Sequence, residues 1–111
     1  MKAVVYEKYG SPDELHLADV PKPTPTDDQV LIHVHAVSIN GSDREGLVGR
    51  PAYARIGGIR KILGSDIAGT VEAIGRNHTE FQPGDEVFGE IKGYYGGFAE
   101  YVSADPTVCM R

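Results

Sequence analysis

The chain has 111 residues, the size of one ordinary domain, and 41% of them are apolar, enough for a single modest core. Eleven Lys and Arg against sixteen Asp and Glu leave a net charge of −5, and such a surface lacks the field that gathers phosphates, which argues against a nucleic-acid partner. The one cysteine, Cys109, excludes an internal disulfide and a cysteine-rich zinc module. The opening Met1-Lys2-Ala3-Val4-Val5-Tyr6-Glu7 meets charge too early for a secretory segment. No apolar run nears the ~20 residues that span a bilayer, so the expectation is a soluble, cytoplasmic domain.

Fourteen Gly and seven Pro predict many turns and little helix. Residues 2–6 form a short β-branched run, readable as a strand, which breaks at Tyr9-Gly10-Ser11-Pro12. A second strand is predicted over residues 15–20. Pro21, Pro23 and Pro25 then force an extended connection, because proline fixes φ and restricts the residue before it. Residues 30–37 are the strongest strand, with Val30, Ile32, Val34 and Ala36 expected on one face. Ser42-Asp43-Arg44-Glu45 reads as a capping box for a short helix that Gly46 or Gly49 ends. Residues 50–63 show no period and read as a loop. A strand rich in small residues follows within 64–75, then a Pro-Gly turn at Gln82-Pro83-Gly84-Asp85, a strand over 86–91 and a last one over 98–102. Six or seven short strands joined by Gly/Pro turns predict a mostly antiparallel barrel or folded sheet.

The polar residues concentrate in two clusters, Ser38-Ile39-Asn40-Gly41-Ser42-Asp43 and Gly64-Ser65-Asp66-Ile67-Ala68-Gly69. Small residues let backbones approach, while Asn, Ser and Asp side chains offer donors and acceptors to a ligand. The commoner reading of Asn40-Gly41 is a turn and of Ser42 a helix N-cap. His33 and His35 share a strand face and could chelate a metal, yet no third ligand is evident and a solvated face explains them. Thr70 stands where a P-loop needs lysine, and no Gly-x-Gly-x-x-Gly fingerprint occurs anywhere in the chain.

The opening Met1-Lys2-Ala3-Val4-Val5, residues 30–43, Gly64-Ser65-Asp66-Ile67-Ala68-Gly69-Thr70-Val71, Pro83-Gly84-Asp85-Glu86-Val87-Phe88-Gly89 and Gly97-Phe98-Ala99-Glu100-Tyr101-Val102 occur in order. Together they resemble the N-terminal GroES-like catalytic domain of the medium-chain dehydrogenase/reductase superfamily. The resemblance covers residues 1–111 and implies a mainly β fold with short helices, a GroES-like partly open β-barrel. It also implies a C-terminal Rossmann cofactor domain that this chain does not contain, and no turnover by these 111 residues alone. Zinc-dependent members carry cysteine where this chain has Asn40 and histidine-glutamate where it has Ser65-Asp66. Their structural-zinc cysteines are also missing between Gly84-Asp85 and Gly97-Phe98, so no zinc is expected.

The remaining likeness is to the zinc-independent, quinone-oxidoreductase-like branch. It implies hydride transfer from NADPH (or NADH), bound mainly by the missing domain, to a quinone or activated alkene. An enoyl thioester or an alkenal is an equally open substrate. Asn40 and Ser42 would face the nicotinamide and the substrate carbonyl, Asp43 and Asp66 would orient them or hold backbone N–H groups, and Tyr53 would line the substrate pocket. The partners implied are a small-molecule substrate and the chain's own Rossmann domain, with no nucleic acid or membrane; a homodimer is compatible with the likeness. The alternatives are a stand-alone GroES-like binding or assembly domain without catalysis, and a zinc-type alcohol dehydrogenase that has lost its metal ligands.

Overall fold

The computed structural model describes residues 1–50, 61–77, 80–91 and 95–105, with the backbone of 109–110. Strands β1 (Lys2–Val5) and β2 (His16–Asp19) form an antiparallel ribbon in which Ala3 faces Ala18. Between them lies a 3₁₀ turn, Pro12–Glu14, where proline opens the turn and Ser11 Oγ accepts from the Asp13 N–H at 3.3 Å. Five further strands build the main sheet: β3 (Val30–Val37), β4 (Asp66–Ile74), β5 (Glu86–Glu90), β6 (Tyr101–Ala104) and β7 (Cys109–Met110). Their order is β6-β3-β4-β5-β7, and every pairing is antiparallel. Among the described residues ribbon and sheet stay open rather than closing into one barrel. This agrees with the mainly β, partly open architecture expected.

The predicted strand at 98–102 is in fact a corner. The Val4 N–H donates to the Phe98 carbonyl at 2.8 Å and the Glu100 N–H to the Lys2 carbonyl at 3.1 Å, so these residues bind the ribbon. From Tyr101 onward the chain pairs with β3 instead, Tyr101 opposite His33. One short segment thereby links both sheets, a division of partners that alternation of side chains does not encode.

The face expected along β3 holds for Val30, Ile32 and Val34 and fails at Ala36. His35 is an extra residue in the ladder, since Val34 pairs with Gly69 and Ala36 with Ala68. The bulge re-phases the strand, so Val37 packs against the core while Ala36 is exposed. A second bulge, at Glu72 between Val71 and Ala73, does the same to β4 and brings Ile74 onto the core. The main core is Val30, Ile32, Ile67, Val71, Phe81, Val87, Ile91, Val102 and Ala104, and a smaller one joins Tyr6, Leu47 and Leu63.

Helix α1 (Gly41–Val48) begins one residue before the predicted Ser42: the N-cap is Asn40, and Asp43 rather than Glu45 closes the capping box. Asp43 is only 3% exposed. Its Oδ2 accepts from the Asn40 N–H at 2.8 Å and its Oδ1 from the Gly64 N–H at 2.9 Å. One buried carboxylate therefore pins the start of α1 to the turn that leads into β4. Gly64 has φ +98°, a left-handed conformation that side chains resist. Gly49, with φ 75°, ends the helix as one of the two glycines expected.

Two stability predictions follow from this packing. A methyl group at Gly69 would lie 2.2 Å from the His33 carbonyl oxygen, a backbone atom that cannot step aside. Gly69→Ala should therefore cost about 2–3 kcal/mol, read as a lower urea midpoint, and an unchanged midpoint would refute the close approach. Asp43→Ala orphans two backbone N–H groups and should cost about 3 kcal/mol; a loss below ~1 kcal/mol would show that water replaces the carboxylate.

Candidate functional site

The two polar clusters of the sequence meet at one end of the sheet. β3 and β4 pair as far as Val37 opposite Ile67, and the Ser38 N–H continues the ladder by donating to the Asp66 carbonyl at 3.0 Å. This register sets Asn40 beside Asp66: Asn40 Nδ2 donates to Asp66 Oδ2 at 2.6 Å. Ser38 Oγ lies 3.4 Å from both Asn40 Oδ1 and Asp66 Oδ2. Asn40 and Asp66 are half-buried, whereas Ser38, Gly41 and Ser42 are exposed. A side-chain triangle thus sits at the helix entrance, with its backbone fixed from below by Asp43.

The residues around Asp66 are equally constrained. Ser65 is 1% exposed and its carbonyl accepts from the Ile91 N–H at 2.7 Å. The Gly97 N–H donates to the Gly64 carbonyl at 2.8 Å. Strand β4 therefore starts from a backbone held on both sides, so Asp66 projects from a rigid base.

Of the candidate residues, Asn40, Asp43 and Asp66 are joined by hydrogen bonds, and Ser42 stands on the exposed first turn of α1. Tyr53 lies outside the described residues. Ser38 opens the first polar cluster, but the sequence assigns it no role of its own; only the β3–β4 register brings its hydroxyl to Asp66. The assembled groups are an amide, one hydroxyl and a carboxylate at hydrogen-bonding range, with Ser42 on the neighbouring helical turn. They can donate to a carbonyl oxygen and orient a ligand. Among the described residues no group of three or more His, Cys, Asp or Glu is arranged to hold a metal ion.

A separate charged network lies six residues along β4, about 20 Å away. The hydrogen bond from Lys22 holds the Glu72 carboxyl below its usual value, and Glu72 in turn raises the Tyr101 hydroxyl. Lys22 Nζ also sits 4.0 Å above the Tyr101 ring. This network ties the proline-rich connection to the outer face of the sheet. His33 stacks on Tyr101 at 4.7 Å and His35 Nε2 meets Thr70 Oγ1 at 2.9 Å. The histidine pair is thus part of that outer surface.

Residues 26–111 match the alcohol dehydrogenase GroES-like domain. The chain is 41% identical over 110 residues to the quinone oxidoreductase of Homo sapiens, covering 97% of this chain and 32% of that protein. The quinone oxidoreductase from Coxiella burnetii superimposes with a TM-score of 0.91 at 32% identity, over 100% of this chain and 36% of that one. The Escherichia coli quinone oxidoreductase, solved in complex with NADPH, shares the fold with a TM-score of 0.85 at 18% identity, over 99% of this chain and 32% of that one. The chain therefore spans about a third of the length of these relatives (32% of the human protein). With its sheet order and these likenesses in agreement, the chain belongs to the alcohol dehydrogenase GroES-like domain family, in its quinone-oxidoreductase-like branch.

Proposed function

We propose that this chain is the catalytic-domain portion of an NAD(P)H-dependent oxidoreductase that transfers hydride to a quinone or activated alkene without zinc. The observation that carries the reading is the 2.6 Å hydrogen bond from Asn40 Nδ2 to Asp66 Oδ2. Zinc-dependent members place a thiolate at the first of these positions and a glutamate at the second. Here the first position holds a hydrogen-bond donor oriented by its neighbour. An amide and a hydroxyl are poor ligands for Zn²⁺ but serviceable donors to a developing oxyanion.

In this reading Asn40 and Ser42 donate to the substrate carbonyl and border the nicotinamide, while Asp43 and Asp66 position them. NADPH, or NADH, supplies the hydride when bound, chiefly by a Rossmann domain beyond this chain. Charge gathers on the carbonyl oxygen as hydride reaches carbon; the donors stabilise it, and Ser42 is placed to pass the proton that completes reduction. By the family likeness, Tyr53 is proposed to line the substrate pocket and the protein to be cytoplasmic, and a homodimer is compatible with that likeness. A binding domain without catalysis would leave the Asn40–Asp66 pair without use.

In the full-length protein, Asn40→Ala combined with Ser42→Ala should lower kcat about a hundredfold while the protein stays folded, its thermal midpoint falling by no more than the loss of one helix cap, since each donor to an oxyanion is worth that order. Unimpaired turnover by this variant would refute the site. Elemental analysis of protein purified without added metal should return substoichiometric zinc; one zinc per chain would overturn the metal-free mechanism.

A further inference from the structure

We infer that Ser38 is a positioning residue of this site, whose hydroxyl holds the Asn40 amide in the orientation that Asp66 selects; the inference rests on the oxidoreductase reading above. The Asn40 amide is gripped at both ends. Its nitrogen donates to Asp66 Oδ2 at 2.6 Å, and its oxygen faces Ser38 Oγ at 3.4 Å. Ser38 Oγ is also 3.4 Å from Asp66 Oδ2. A single hydroxyl hydrogen shared between two acceptors gives two long contacts in place of one short one. The backbone of Ser38 is held in place, because its own N–H is bonded to the Asp66 carbonyl at 3.0 Å.

An amide rotated by half a turn about its last bond keeps its shape and exchanges a donor for an acceptor. Facing a substrate carbonyl, that exchange replaces attraction with repulsion. Asp66 takes one of the two amide N–H groups, which leaves the other as the donor for the substrate oxygen. Ser38 secures the opposite end, so the donor is in place before charge develops. Preorganisation of this kind acts on the transition state and so falls on kcat more than on KM. Ser38 is exposed, so its hydroxyl is not needed for core packing and a substitution there separates positioning from folding.

The test is steady-state reduction of a naphthoquinone by NADPH with the full-length protein. Ser38→Ala should lower kcat about tenfold with KM within about twofold, the size of one lost orienting hydrogen bond. Ser38→Thr, which keeps the hydroxyl, should return kcat to within about twofold of the parent. The thermal midpoint of both variants should match the parent. Parental kcat in Ser38→Ala overturns the inference, as does a loss that Ser38→Thr fails to rescue or that follows a fall in thermal midpoint. If the Asn40→Ala, Ser42→Ala protein turns over normally, the oxidoreductase reading itself falls; if that protein is impaired and Ser38→Ala is not, only the role of Ser38 falls.

Discussion

The buried carboxylate of Asp43 is the constraint on which the site depends. A desolvated carboxylate is costly unless its oxygens are occupied, and here each accepts a backbone N–H, one from the entrance of α1 and one from the Gly64 turn. Asp43 and Gly64 are 21 residues apart in the chain. Neither amide has a ladder partner to accept it, so the carboxylate satisfies both and fixes the distance between them. The side chains that extend above this clamp, Asn40 on one side and Asp66 on the other, meet because their backbones are already held.

The sheet contributes its own constraint through irregularity. Bulges at His35 and Glu72 shift the inward face of β3 and β4 by one residue each, so the strands remain paired while their core residues change phase. The bulge at His35 lies near the end of β3, just before the chain leaves the sheet for α1. A regular strand would have directed Ala36 into the core and turned Val37 outward. With the bulge, Val37 packs inward and the ladder continues one further step to Ser38, which delivers the polar cluster to Asp66. The extra residue is thus a means of aiming the segment that carries Asn40.

In the proposed reading, hydrogen bonding does the work that a metal centre does in the zinc-dependent members of the family. A zinc ion holds its ligands by coordination and needs thiolate and imidazole to do so. Neutral donors have no such anchor, and their orientation must come from neighbouring acceptors. The short Asn40–Asp66 contact and the shared hydroxyl of Ser38 meet that need with side chains from the start of β4 and from the segment that links β3 to α1. The outer-face network of Lys22, Glu72 and Tyr101 uses similar groups for another end, fastening the proline-rich connection to the sheet.

Most of the fold was legible in the residues. β-branched runs, proline connections and glycine turns located β1 to β5 and the short helix, because those preferences act within a few residues. β7 was not foreseen, since a two-residue strand exists only through its pairing with β5. The segment at 98–102 was read as one strand, but it divides its hydrogen bonds between β1 and β3, a choice made by partners distant in sequence. The helix cap fell on Asn40 instead of Ser42 because a buried carboxylate at Asp43, tied to Gly64, outweighs the local pattern.

The site divides in the same way. Its ingredients, Asn40, Ser42, Asp43 and Asp66, are marked in the sequence by residue type, as short polar groups flanking apolar runs. Which of them bond to one another, and that Ser38 joins them, was decided by the tertiary structure alone. The reason is that register is a property of two strands together: a shift of one residue would exchange the faces of β3 and β4 and separate Asn40 from Asp66. Sequence determined the donors and acceptors present; packing, bulges and the Asp43 clamp determined where each one points.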